Sequence, residues 1–311
     1  VDGTEYPFGR IYYGGRESGS GSRQVVEGLR DFLAAQVVQH PVEVDSVWLA
    51  VGHVDEFMLF IPDADSDKGF KLGYTDWPLA RDILESLDPN MALPRFADDH
   101  GFATVGEILT SSLPDYNDDL HVQYMVPMLD LVKTEFGLTD DDVILIPGVW
   151  ERTNWGGLAM IPGMTNLAVY NEHLLIADPF LRTHDEDVDD SGTISAGEDI
   201  NGNGELDTDE DANGNRELDE GEDINGNGVL DTEEDANSDW QLDAGEDLNG
   251  DGLLNTYRDP FILYMEDNMP ESTELHFLDN WETYHLMWGE VHCGTNILRT
   301  PRSDIYWWEV E

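Results

Sequence analysis

The sequence predicts an α/β chain interrupted by a helix-poor calcium-loop repeat. Three observations carry that reading. Strand-like and helix-like apolar patterns alternate along both flanks. A block from Asp187 to Arg258 repeats itself on a period of 12 residues. The 311 residues are 40% hydrophobic and include nine tryptophans, enough for a sizeable core despite a net charge of −52.

In chain order, Val25, Leu29, Phe32 and Leu33 fall at helical spacing behind Ser22, which predicts a helix near 23–36. Val42, Val44 and the run Val47–Val51 predict β structure ending at Gly52, with His53 and Asp55 on one side of an extended backbone and Val54 opposite. Asp76, Pro78, Leu79, Ile83, Leu84 and Leu87 mark a second helix with proline in its first turn. A third is predicted over 118–136, kinked or broken by Pro127 and closed by Gly137. Short strands are expected at 143–147, 158–162, 166–170 and 274–278, with Asn171-Glu172 as a turn. The organisation expected is a first catalytic part over 1–184, an insertion over 185–259 in a surface loop, and a C-terminal part over 260–311.

The 12-residue units begin at Asp187, Asp199, Asp211, Asp223, Asp235 and Asp247, each with an aliphatic residue at position 8. In the first, Asp187, Asp189 and Ser191 supply oxygens at positions 1, 3 and 5. Gly192 permits a sharp turn, Thr193 offers its carbonyl, and Glu198 closes the sphere. Hard cations such as Ca2+ take six to eight oxygens, and this spacing makes alternate side chains converge. The second unit repeats the set as Asp199, Asn201, Asn203, Glu205 and Glu210, the fourth as Asp223, Asn225, Asn227, Val229 and Glu234. Arg216 and Trp240 replace the glycine in units three and five, and Arg258 replaces the final acid in unit six, so weaker binding is expected there. The competing reading is an acidic disordered linker.

The block carries 24 acidic and two basic residues, leaving 43 acidic and 13 basic elsewhere, so the whole surface is acidic. A basic face for nucleic acid or anionic membrane is missing, and no apolar run reaches the roughly 18 residues of a membrane span. A salt-adapted surface and plain acidic drift both fit. The start, Val1-Asp2-Gly3-Thr4, reads as a cut from a longer chain.

Chemistry concentrates in two islands, WLAVGHVDEF (Trp48 to Phe57) and GEVHCGTN (Gly289 to Asn296). The single cysteine, Cys293, excludes an internal disulfide and sits beside the small residues Gly294 and Thr295. A thiol with a distant imidazole, His53, and a carboxylate, Asp55, is the minimal set for thiolate catalysis. A buried inert cysteine and a His/Asp/Cys metal site remain open on spacing alone.

These two islands, together with EYPFGRIYYG (Glu5 to Gly14), the stretch Arg23 to Leu49, Arg299 and Trp307-Trp308, resemble the C-terminal catalytic domain of the protein-arginine deiminase family. The resemblance covers about 1–180 and 260–311. It implies a partial five-bladed α/β propeller (pentein-like) and calcium-dependent hydrolysis of peptidyl arginine to citrulline and ammonia. It also implies Cys293 as nucleophile, His53 as proton carrier and Asp55 as guanidinium clamp, while Glu56 and His292 read as structural neighbours and Trp48 as a core residue. In that family a second guanidinium-binding aspartate, a substrate-gripping arginine and calcium ligands precede the region matching Val1, and vertebrate members carry basic residues where Met287-Trp288 stand. Half an active site is therefore expected in this chain. Expected partners are an arginine-containing protein or peptide and calcium ions, with no nucleic acid and no membrane span. The rival is a secreted calcium-stabilised binding module on an inactive deiminase scaffold; free-guanidine hydrolysis or amidinotransfer shares the nucleophile. Tandem loops that need about 10⁻⁴–10⁻³ M calcium predict an extracellular or secreted location.

Overall fold

The computed structural model describes residues 6–15, 24–182, 241, 243, 245, 254, 259–298, 300, 304 and 306. The calcium ligands named above, Asp187 to Glu234, lie outside them.

The described chain is mixed α/β, with four small, separate sheets. Strand β1 (Tyr12–Gly15) pairs in parallel with β2 (Val42–Asp45) across helix α1 (Glu27–Ala35). The run Val47–Val51 does not extend β2. Trp48 and Leu49 are buried there, and Leu49 forms one parallel bridge with Gly157. A glycine at 156 lets these backbones meet: its φ is +140°, and an added Cβ would lie 2.6 Å from the Trp48 carbonyl oxygen. The Gly157 N–H donates to Trp48 O, and the Ala50 N–H to Gly157 O, both at 2.7 Å.

The central sheet joins β3 (Met58–Pro62), β4 (Phe70–Asp76) and β5 (Val143–Pro147), with β3 antiparallel and β5 parallel to β4. Its two faces follow the period of two. Met58, Leu72 and Tyr74 join Val44, Trp48, Phe57, Met125 and Trp150 in one core, while Leu59, Ile61 and Ile146 face a second core with Trp77, Phe96, Phe180, Phe261 and Trp281. Each sandwiched face removes apolar area from water at about 25 cal/mol per Å².

Asp76 ends β4 and caps α2 (Trp77–Ser86), accepting from the Leu79 N–H at 2.8 Å with Pro78 in the first turn. Two short helices, α3 (Pro94–Asp99) and α4 (Val105–Thr110), follow. The expected third helix starts earlier, as α5 (Leu113–Leu120). It passes through a π-turn, His121–Met125, into α6 (Val126–Phe136), which ends at Gly137 in the left-handed region. The π-turn lies immediately before Pro127. The proline has no N–H and its ring would press on the carbonyl four residues back, so the path widens instead of breaking.

The remaining strands are β6 (Trp150–Arg152), β7 (Gly157–Ala159), β8 (Ala168–Tyr170), β9 (His173–Ala177) and β10 (Glu274–Leu278). β8 and β9 form a hairpin through Asn171, whose φ is +54°, and β10 lies parallel to β9. Between β9 and β10 run the repeat block and α7 (Pro260–Asn268). The chain leaves and returns at a buried clamp. Arg182 holds both Asp178 carboxylate oxygens at 2.7 Å, and Asp259 accepts the Leu181 N–H at 2.6 Å and the Phe261 N–H at 2.8 Å. Within the repeat, Leu254, the position-8 residue of unit six, is fully buried, and the Gln241 amide donates to the Ser86 carbonyl at 2.9 Å. No helix among the described residues is long and apolar enough to cross a membrane.

Candidate active site

The segment after Gly52 is not extended, contrary to the alternation expected for His53 and Asp55. His53 precedes a 3-10 turn, Val54–Glu56. The cause is local. The Glu56 carboxylate accepts the His53 N–H at 2.7 Å, which curls the backbone. Beneath it, Phe57 and Met58 are buried and anchor the turn to the central sheet.

The second island follows β10. Trp281 and His285 are buried, and Glu290 ties the loop together: it accepts from the Asn280 side-chain amide at 2.5 Å and meets His285 Nδ1 at 2.8 Å. Trp288 turns the chain in the left-handed region, with φ at +68°. Val291 is buried, while His292 and Cys293 face outward.

Folding brings the two islands into one cluster. A ring nitrogen of His53, a carboxylate oxygen of Asp55 and the Cys293 sulfur all lie within 4.8 Å of one another. His292 was expected to be only a neighbour. Instead its Nδ1 donates to Asp55 Oδ2 at 2.6 Å. Asn166, which no sequence pattern marked, fastens the Cys293 loop twice: its side-chain oxygen accepts the Cys293 N–H at 3.1 Å, and its carbonyl accepts the His292 N–H at 3.0 Å. Trp48 is a core residue, stacked on Tyr124 with ring centroids 6.1 Å apart.

A pocket of about 350 Å³ opens beside the sulfur, lined among others by Glu56, Asn166, Trp288, Glu290 and Cys293. Acidity governs its electrostatics. Although Cys293 as a residue is exposed, partial desolvation on the pocket side pushes its thiol up, and the charges of Asp55 and Glu56 add to the rise. Burial also lifts Glu56 to about 7, with Asp55 and Glu290 contributing, against the stabilising N–H groups of His53 and Gly52. Asp55 goes the other way. Burial alone would raise it, but the hydrogen bond and charge of His292, with His53 and Asn166, hold it below the usual carboxylate value. The site therefore presents a protonated thiol, an ionised carboxylate and a carboxyl titrating near neutrality, an environment that favours a bound cation.

Gly294 is one of the two small residues that follow the thiol. It serves packing, since an added Cβ would fall 2.3 Å from the Tyr284 ring.

Comparison with known proteins supplies the class. The family model for protein-arginine deiminase matches residues 1–188 and 265–309, and the chain belongs to that family. Among individual relatives, it is 28% identical to human protein-arginine deiminase type-1 over 326 residues, covering all of this chain and 36% of the human protein. It is 28% identical to human type-3 over 321 residues, again over the whole chain and 37% of that protein. Mouse type-1 is 33% identical over 194 residues, 58% of this chain and 28% of the mouse protein. The chain thus spans little more than a third of the length of these relatives.

Proposed function

We propose that this chain carries the nucleophile half of a calcium-dependent protein-arginine deiminase site. The single observation that supports this most is the convergence of His53, Asp55 and Cys293 within 4.8 Å from opposite ends of the sequence. An inactive scaffold used only for binding has no need to keep them together.

The chemistry follows from the charges. A guanidinium entering between Asp55 and Cys293 is held by charge-assisted hydrogen bonds to the ionised carboxylate. Its positive charge offsets the carboxylates that raise the thiol and so favours thiolate at the moment of attack. The thiol proton passes to His53 as the Cys293 sulfur bonds to the guanidinium carbon; one C–N bond then breaks, and His53 gives that proton to the departing nitrogen, leaving a covalent thiouronium and ammonia. Neutral His53 next takes a proton from water as the oxygen attacks that carbon. The C–S bond breaks, releasing citrulline and the free cysteine.

The resemblance supports a pentein-like propeller around this site, for which the separate two- and three-stranded sheets are the blade-sized units. The segment 185–259 is an insertion in that domain. The clamp that brings Leu181 to Asp259 supports this, as does the family match, which skips 189–264. The oxygen-only donor set of units one, two and four fits calcium, which would hold the loops closed when bound. Such loops fill at extracellular calcium, so the protein is exported. The substrate is an arginine within a peptide or protein.

The test is ammonia release from an arginyl peptide by the intact protein, with covalent capture by a haloacetamidine at Cys293. Cys293→Ser is expected to abolish both. Ordinary turnover in that variant rejects the nucleophile, and capture without turnover in the wild type favours the binding-module alternative.

A further inference from the structure

A second cluster lies on the β9–β10 pair. His173 and Glu274 are direct register partners across the two parallel strands, and His276, two residues on from Glu274, shares its face. Their donor atoms converge. His173 Nδ1 stands 3.0 Å from His276 Nε2 and 3.3 Å from one Glu274 oxygen, and His276 Nε2 lies 3.5 Å from the other. None of the three contributes to the thiol site or to the repeat.

We propose that His173, Glu274 and His276 form a binding site for a borderline divalent metal of the zinc class, with water completing the coordination. Three physical points carry this. Zinc–nitrogen and zinc–oxygen bonds of about 2.0–2.1 Å in a tetrahedron put neighbouring donors about 3.3 Å apart, and the three separations here bracket that value. Two imidazoles with one carboxylate suit zinc, nickel or copper better than calcium or magnesium, which prefer all-oxygen shells. The Glu172 carboxylate stands 3.9 Å from His173 Nε2, the ring nitrogen facing away from the cluster. At that distance it makes no hydrogen bond, but its negative charge favours a cation held at the cluster. The site is half open to solvent, so a metal can enter without unfolding.

Bound metal would cross-link β9 to β10, the two strands between which the repeat block and α7 leave and return. It would therefore raise the temperature at which that junction opens, independently of calcium.

The experiment is zinc titration calorimetry on the intact chain, with saturating calcium to fill the oxygen sites and Cys293 carbamidomethylated to remove its sulfur. One equivalent of zinc is expected to bind, and zinc is expected to raise Tm. His173→Ala and His276→Ala should each weaken binding at least tenfold and remove the Tm rise. If either alanine variant folds poorly, His276→Gln keeps a polar side chain and still removes the imidazole ligand. Glu172→Gln, which removes a nearby charge but no ligand, should weaken binding less than either histidine change. Absence of a zinc equivalent in the wild type, or affinity unchanged within twofold in both histidine variants, overturns the proposal.

Discussion

His292 and Asp55 are 237 positions apart in the chain, yet His292 Nδ1 lies 2.6 Å from Asp55 Oδ2. This contact makes the Cys293 loop the main source of the hydrogen bond and charge that hold the Asp55 carboxyl below its usual value. The residue beside the cysteine thus tunes the far island.

Removing His292 should therefore let burial dominate Asp55. In His292→Ala the carboxyl rises and the acid limb of the pH–rate profile moves up, so loss of activity grows as the pH falls. Losing a hydrogen bond to a charged group is worth about 1.5–3 kcal/mol, and solvent at the half-exposed imidazole places the effect near the lower end, about tenfold. His292→Gln keeps a donor and should recover part of it. An unmoved acid limb in His292→Ala would contradict the coupling.

Glu56 has the opposite sign. Its carboxyl is raised from 4.5 to about 7, so the fold favours the protonated form. That contribution is fully present below pH 4.5 and is lost as the pH rises through 7. Relative to Glu56→Gln, the wild type should lose at most about 3 kcal/mol across this window, read by denaturant unfolding at a series of pH values. The same substitution removes a negative charge beside the sulfur and should shift the midpoint of Cys293 alkylation to lower pH. A midpoint that stays put would mean Glu56 does not act on the thiol.

Gly156→Ala tests the bridge that carries the first island. The new Cβ would lie 2.6 Å from Leu49 and Trp48 backbone atoms at a φ of +140°, so no side-chain adjustment relieves it. A loss of about 2–4 kcal/mol is expected from overpacking plus strain, together with slower capture at Cys293 as the His53 turn shifts. Unchanged unfolding would show that the backbones need not meet this closely.

In the repeat, Gly204→Arg imposes on unit two the residue already present in unit three. At least three calcium ions are expected in the wild-type chain and one fewer in the variant, measured by equilibrium dialysis. Fewer than two in the wild type would return the block to an acidic linker.

Much of the fold was legible because it is local. The strands at 143–147 and 274–278, the proline-started helix after Asp76 and the turn at Asn171 were all expected from apolar period and turn chemistry. The hairpin of β3 and β4 was not, because its two-sided burial erases the alternation that marks a strand. Helices α3 and α4 are six residues each, too short to show a period. Cys293, His53 and Asp55 stand out in two motifs, and the fold brings them together. Asn166 and the His285–Glu290 pair were not, since they act through tertiary contact and carry no spacing signal. The curl at His53 was missed for a related reason: a single carboxylate three residues on outweighed strand propensity.

The Asp178–Arg182–Asp259 clamp has a consequence for how such a chain can change over generations. Both ends of the excursion are fixed at the same buried point, and of its described residues only Leu254 is buried, so the core senses the closure of the loop and the contents of its last unit. For a loop treated as a free chain, closure cost grows only with the logarithm of length, about 0.6 kcal/mol per doubling. Copies of the 12-residue unit ahead of that last one can then be gained or lost in whole numbers at little cost to the domain, so the number of oxygen-donor sets becomes a heritable dial set by copy number.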